Sequence, residues 1–207
     1  MLSHMARNDL SRMGFLIAGG KSSRMGADKA FLDFGGQTLL DRALGVMGAV
    51  CGRVAIVGNP ARFAEYKSSD YAVVADIFPG CGPLAGIHAA LVHSSAELNL
   101  MLAVDMPFVA AELLGFLFAA AESNDAVITV PRTSKGLQPL CAVYRREFCD
   151  IAEHGLRAGK YKIDAAFAGV AVHMIDQGEL AAAGFAERCF FNVNTQEDLR
   201  QAEGRYF

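Results

Sequence analysis

The sequence predicts an α/β fold: one domain in which a mostly parallel mixed sheet lies between two layers of helices. Three observations lead there. From Met13 onward, short apolar runs alternate with longer segments of helical character. Several of the runs are continuous rather than alternating, which is the pattern of strands covered on both faces. Strands that alternate with helices build βαβ units around a parallel sheet. A chain of 207 residues is long enough for one well-buried domain, and no linker-like tract, internal repeat or low-complexity segment divides it.

The strand candidates are GFLIA (14–18), RVAIV (53–57), YAVVA (71–75), LNLMLAV (98–104), DAVITV (125–130) and VAVHMI (170–175). Between them lie the helical candidates TLLDRALGVMG, PARFAEYK, GPLAGIHAALVHS and AAELLGFLFAAAE. The first opens on Thr38 with Asp41 three residues on, a capping-box signal. Together they describe a Rossmann-like three-layer sandwich. Residues 1–11 are set aside as a disordered or appended N-terminus. MLSHMARNDLSRM carries a second methionine and has no apolar core of the kind a secretory signal needs. The domain is expected over 12–207.

Composition narrows the function classes. No apolar stretch reaches the roughly 18 residues of a membrane span. A net charge of −3 and a pI near 5.9 argue against broad electrostatic binding to nucleic acid and leave any phosphate recognition to a local site. The five cysteines are odd in number, widely spaced and contain no C-x-x-C, so neither a disulfide framework nor a zinc ribbon is indicated and a reducing cytoplasm is expected. His88 and His93 are five apart, on different faces of a helix, and do not suggest a metal pair.

In open α/β sheets ligands bind outside the carboxyl ends of the strands. That rule selects Gly19 and Gly20 after the first strand, Asn59 after the second, Asp76 after the third and Asp105 after the fourth. The stretch FLIAGGKSSRMGADK (15–29) contains Gly20-Lys21-Ser22, the tripeptide that closes a P-loop. The P-loop spacing would require glycine at position 15, which is Phe15. The dinucleotide fingerprint fails as well, since the local glycines are Gly19, Gly20 and Gly26. What remains is a glycine pair, two hydroxyls (Ser22, Ser23) and three cations (Lys21, Arg24, Lys29) in one loop, a composition suited to a polyphosphate. A solvated, charged turn would have the same composition.

The residues themselves add more. Ile17 to Lys29 resembles the signature L-A-G-G-x-S-x-R-M-G-x-D-K of nucleotidyltransferases that make sugar- or cofactor-nucleotides, with Ile17 for leucine. Within that superfamily the chain is most similar to the molybdenum cofactor guanylyltransferases. The likeness continues through PGCGPLAGIHAAL (79–91), AVDMPFV (103–109), LQPLCAVYRRE (137–147) and FNVNTQEDL (191–199), with Gln196 where the family usually has proline. It spans about residues 13 to 200. The resemblance implies a fold of the nucleotide-diphospho-sugar transferase type and nucleotide contacts at Ile17, Ala18, Gly19 and Gly20. Lys29 and Arg24 would counter phosphate charge, Asp76 would contact the guanosine part, and Asp105 would touch the nucleotide and hold Mg²⁺. The family's asparagine on the second strand is matched by Val57, and Asn59 two residues on is the candidate substitute. Gln138, Asn192 and Asn194 are the candidates for the acceptor.

Some of these residues have plainer readings. Asp105 would also serve as a cap for the helix near Ala110, Asp76 as a turn stabiliser, and Asn194-Thr195 as a helix start before Glu197 and Asp198. Arg132, Lys135, Arg145 and Arg146 are candidates for an acceptor phosphate, although each alone reads as a solvated charge. The implied reaction is transfer of GMP from GTP to the phosphate of molybdenum-molybdopterin, with release of pyrophosphate and with Mg²⁺ as cofactor. A cytidylyltransferase acting on molybdopterin or on a sugar or alditol phosphate is the nearest alternative. A non-catalytic nucleotide-binding cofactor chaperone is the alternative from another class. The expected partners are GTP and molybdopterin as substrates, with transient contact to molybdenum-insertion proteins and target molybdoenzymes. Neither nucleic acid nor membrane is expected, and the chain should be a monomer or a weak oligomer.

Overall fold

The computed structural model describes residues 11–19, 28–67 and 71–206. Its strands are β1 (Arg12–Ile17), β2 (Arg53–Val57), β3 (Ala72–Val74), β4 (Leu98–Ala103), β5 (Ile128–Thr133), β6 (Gly136–Leu137), β7 (Cys141–Arg145) and β8 (Val172–Ile175). Among the described residues they form one sheet in the order β3-β2-β1-β4-β7-β5, with β6 and β8 both paired to β5. Strands β1 to β4 run parallel, β7 is antiparallel to both β4 and β5, and β8 is parallel to β5. The expected mostly parallel mixed sheet is therefore present.

The helices are α1 (Leu39–Gly48), α2 (Ala64–Lys67), α3 (Pro83–His93), α4 (Ala111–Glu122), α5 (Phe148–Arg157), α6 (Ile163–Ala166), α7 (Gln177–Ala182) and α8 (Gln196–Tyr206). They cover the two faces of the sheet because successive strand residues point opposite ways. Leu16, Ile56 and Leu100 pack with Leu40 and Leu44 of α1 and Leu114 and Leu117 of α4 in one apolar cluster. Phe15, Ala55 and Met101 pack with Ile87 and Leu91 of α3 and Phe148 and Ala152 of α5 in the other. Every residue of β4 is buried, and its one polar member, Asn99, donates to the carbonyls of Ala96, Glu97 and Tyr144 and accepts from Ser94 Oγ.

Helix α1 starts as its sequence predicts: Thr38 Oγ1 accepts from the Asp41 N–H at 3.0 Å and donates to the Asp41 carboxylate at 2.6 Å. Other expectations need correction. The helix expected over 60–67 is confined to α2, because the Asn59 carboxamide accepts from the Ala61 N–H at 3.0 Å and turns the chain first. The strands expected at 125–130 and 170–175 begin later, at Ile128 and Val172. The antiparallel strand β7 was not expected, nor was α5, which buries Phe148, Ala152 and Leu156 at a four-residue spacing.

The order places β2 and β3 on one side of β1 and β4 on the other, so the topological switch lies between β1 and β4. In such sheets the crevice at that switch is the ligand site. Ile17 is in register with Ala103, and the Ile17 carbonyl accepts from the Val104 N–H at 3.2 Å. Asp105 thus leaves the sheet beside the end of β1. One close approach flanks this edge: a β-carbon on Gly58 would lie 2.7 Å from the Phe63 ring, so only glycine lets that ring pack down.

Candidate functional site

At the crevice, Lys29 holds two other parts of the chain together. Its ammonium donates to Asp105 Oδ2 at 3.2 Å and to Asn194 Oδ1 at 2.7 Å. Each partner has a structural reason to be there. Asp28 begins a short 3₁₀ turn, Lys29–Phe31, by accepting from the Ala30 N–H at 3.1 Å, and this turn presents Lys29. Asp105 follows β4. Its carbonyl accepts from the Val193 N–H at 2.8 Å, which draws the segment before α8 up to the crevice. Phe191 packs on Phe108 with ring centroids 6.0 Å apart. The lysine and aspartate side chains are about one-fifth exposed, so their attraction is screened less than that of a surface pair.

The helix-start reading of Asn194 is also correct. The Asp198 carboxylate accepts from the Asn194 and Thr195 N–H groups at 2.9 and 2.8 Å, and the first of these bonds holds its pKa below the usual carboxylate range. Thr195 caps α8, its Oγ1 accepting from the Asp198 N–H at 3.1 Å, while the Asn194 backbone N–H is held by Asp198 and the Asn194 side chain reaches Lys29. Asp105 is not a helix cap: Ala110 occupies that position before α4 and no side chain bonds there.

A second feature lies beside the first. Asp76, just beyond β3, is half-buried, and burial pushes its carboxyl pKa up. A β-carbon on Gly19 would come within 4.0 Å of Asp76 Oδ2, and one on Gly86 of α3 within 3.8 Å of Oδ1. Two glycines, one just beyond β1 and one in α3, thus leave a hollow in front of a carboxylate. Ile17 and Val57 supply apolar wall, their methyls lying 3.5 and 3.7 Å from the same Gly86 position. Ala18 is buried and its N–H is committed to the Val57 carbonyl at 3.0 Å.

The remaining predicted residues fall elsewhere or outside the described set. Gly20, Lys21, Ser22, Ser23 and Arg24 lie outside the described residues. Asn59 is exposed and shapes the turn before α2, while Val57, the matching family position, is buried in β2. Gln138 donates to Thr133 Oγ1 at 3.0 Å within the β5–β6 region. Asn192 is half-buried, two residues before Asn194. Arg145 is excluded from this edge. It pairs in register with Leu98, at the opposite end of β4, and donates to Glu97 and to the carbonyls of Ala121, Asn124 and Ala126. His88 packs on Phe78 and His93 on Phe15.

Among the described residues no three acidic, histidine or cysteine side chains converge on a metal position. What the crevice offers is hard oxygen: the Asp105 carboxylate and the Asn194 carboxamide, both in contact with one ammonium. That set fits Mg²⁺ as nucleotide enzymes use it, with one or two protein oxygens and the rest from phosphate and water. Sequence reasoning missed one residue at this edge. Arg62 donates both to the Asp28 carboxylate and, at 2.9 Å, to the Ala18 carbonyl. No spacing or periodicity in the sequence marks it.

Comparison with known proteins gives these features a context. The pattern of the family described as MobA-like NTP transferase domain matches residues 14–173. The chain is 38% identical over 193 residues to a probable molybdenum cofactor guanylyltransferase of Pelotomaculum thermopropionicum, covering 93% of this chain and 92% of that one. It is 33% identical over 191 residues to a molybdenum cofactor guanylyltransferase of Desulfosudis oleivorans, covering 92% and 93%. Among solved structures, molybdopterin-guanine dinucleotide biosynthesis protein A from Archaeoglobus fulgidus superposes with a TM-score of 0.81 at 28% identity, covering 94% of this chain and 98% of that one.

Proposed function

The chain belongs to the family of MobA-like NTP transferases, and from that premise we propose that this nucleotidyltransferase moves GMP from GTP to the terminal phosphate of molybdopterin and releases pyrophosphate. The observation that carries the proposal is the convergence of Lys29, Asp105 and Asn194 at the β1/β4 switch point. One cation, one carboxylate and one carboxamide meet where α/β sheets take ligands. The names of the relatives at 38% and 33% identity support guanine as the base and molybdenum cofactor synthesis as the setting.

In this reading the triphosphate lies along the end of β1, with its guanosine part toward Gly19 and Asp76. An acceptor phosphate oxygen attacks the α-phosphorus. The bond from that phosphorus to the β-bridging oxygen breaks, and pyrophosphate leaves. The attacking oxygen is already anionic, so no general base is needed. Lys29 supplies positive charge that is in place before the substrate arrives, and Arg24 is proposed to add a second cation. Charge fixed in advance near developing negative charge is the largest catalytic effect of this kind. Asp105 and Asn194 would hold Mg²⁺, which when bound neutralises phosphate charge. Gln138 and Asn192, with the Asn194 amide, are proposed for the acceptor side. No described helix is long and apolar enough to cross a membrane, and we place the reaction in the cytoplasm.

The test is pyrophosphate release in the presence of Mg²⁺ and molybdopterin, with GTP and CTP compared side by side. Preference for CTP would refute the base assignment, and nucleotide binding without any pyrophosphate would favour a chaperone. Two further expectations follow from the hollow. Gly19→Ala is expected to fold normally, since among the described residues its β-carbon meets only Asp76 Oδ2, at 4.0 Å. The added methyl occupies space proposed for the purine, so kcat/KM for GTP relative to CTP should fall by roughly 10-fold or more, the cost of one misplaced methyl-sized group.

The second concerns pH. Asp76 has a folded-state pKa raised by burial, so its ionisation opposes folding. Stability is expected to fall as pH rises from the unfolded value through the folded one, and the Asp76→Asn variant should lose that component. A nucleotide donor to the carboxylate favours the anion and acts the other way. GTP binding should therefore tighten as pH rises through the same window, with proton release measurable by calorimetry in two buffers. Proton uptake, or none, would remove Asp76 from the contact.

A further inference from the structure

We propose that Arg62 is a positioning residue for Lys29, acting by tying together the two ends of the segment 20–27. The inference rests on the guanylyltransfer reading. One guanidinium reaches both sides. Its Nη1 donates to the carbonyl of Ala18, before the segment, at 2.9 Å. Its Nε and Nη2 form a two-pronged pair with the Asp28 carboxylate, after the segment. Arginine suits this role because its planar fork fixes orientation as well as charge, whereas an ammonium has a single centre and cannot span both acceptors in that geometry.

The arginine is itself held in place. Its N–H donates to the Asn59 carbonyl at 3.0 Å in the turn shaped by the Asn59 side chain, and its guanidinium carbon lies 5.0 Å from the centroid of the fully buried Phe63 ring. The side chain is 23% exposed, and burial lowers its pKa from the ordinary arginine value. This is more organisation than a surface ion pair has. Asp28 carries the effect onward, because the carboxylate gripped by Arg62 also accepts from the Ala30 N–H at 3.1 Å and so sets the 3₁₀ turn that begins at Lys29. Releasing Asp28 frees that turn to rotate and lets the Lys29 ammonium leave Asp105 and Asn194. Misplacement of a catalytic group by about 1 Å costs on the order of 10²-fold.

A pair that only stabilised the fold would behave differently, and a double-mutant cycle separates the two cases. The variants are Arg62→Met, Arg62→Lys, Lys29→Ala and the double variant Arg62→Met/Lys29→Ala. Each is assayed for pyrophosphate release with GTP, Mg²⁺ and molybdopterin, with folding checked by circular dichroism and Tm. We expect Arg62→Met to lower kcat roughly 10–10²-fold and Arg62→Lys to recover only part of it. In the Lys29→Ala background Arg62→Met should cost less than about 3-fold further, because the group it positions is gone. Wild-type kcat in folded Arg62→Met, or full additivity in the double variant, overturns the inference. If Arg62→Met does not fold, Asp28→Asn replaces it in the cycle, since the amide oxygen can still cap Ala30 while the two-pronged pair is lost, and the same two outcomes decide. Absence of GTP-dependent pyrophosphate release from the wild type would instead defeat the functional reading, and that is seen before any variant is compared.

Discussion

Replacing Lys29 by alanine is expected to lower kcat roughly 10²–10³-fold, the loss found when one preorganised charge or donor is removed from a developing anion. The ammonium sits at the crevice before substrate arrives, held by Asp105 Oδ2 and Asn194 Oδ1, so its contribution needs little rearrangement in the reaction itself. A charge that helps chiefly in the transition state appears in kcat more than in KM. The measurement is pyrophosphate release over a GTP titration. Equal turnover by wild type and Lys29→Ala would remove Lys29 from the mechanism, whereas a rise in KM alone would make it a ground-state phosphate contact.

Asp105→Asn tests the other half of the pair. The substitution keeps size and one oxygen while removing the charge, and Lys29 retains its 2.7 Å bond to Asn194. The fold should survive, with the Val193 N–H still donating to the main-chain carbonyl of residue 105. Activity should not: loss of a hard anionic ligand is expected to lower kcat/KM by roughly 10³-fold, equivalent to about 4 kcal/mol of charge stabilisation. The Mg²⁺ concentration that gives half-maximal rate should rise as well. An unchanged Mg²⁺ dependence would show that Asp105 serves only to hold Lys29, and the Lys29→Ala and Asp105→Asn effects would then fail to add.

The parts of this architecture that were legible in the sequence are those with local causes. LNLMLAV could be read as a strand covered on both faces because its neighbours in the sheet and both helical layers demand apolar residues at every position, and β4 is buried throughout. Thr38 and Asp41 marked the start of α1 because a cap is a contact three residues long. Asp105 was found by a rule about strand ends, and its main-chain bond to Val193 explains why Asn194 joins it. What escaped depends on contacts distant in sequence. Arg62 stands among exposed turn residues, and only its reach across 34 residues to Asp28 and 44 to Ala18 gives it a task. Strand β7 was overlooked although Cys141-Ala142-Val143-Tyr144 is as long an apolar run as residues 54–57 of β2, and strand direction leaves no mark on composition. Helix α5 had its apolar residues at 148, 152 and 156 in plain view, but the dominant βαβ pattern did not call for it.

The reversed direction of β7 has a bearing on how substrates are chosen. On β1 to β4 it is the exit of each strand that faces the ligand rim, whereas β7 brings its entrance there, so that the Leu140 carbonyl accepts from the Ala103 N–H at 2.7 Å, two residues before Asp105. The rim is thus built from two independent sources: the loops that leave β1 to β4, and the 137–140 stretch that enters β7. In the proposed reaction, changes in that incoming stretch would alter the acceptor side without touching the outgoing loops proposed for the triphosphate.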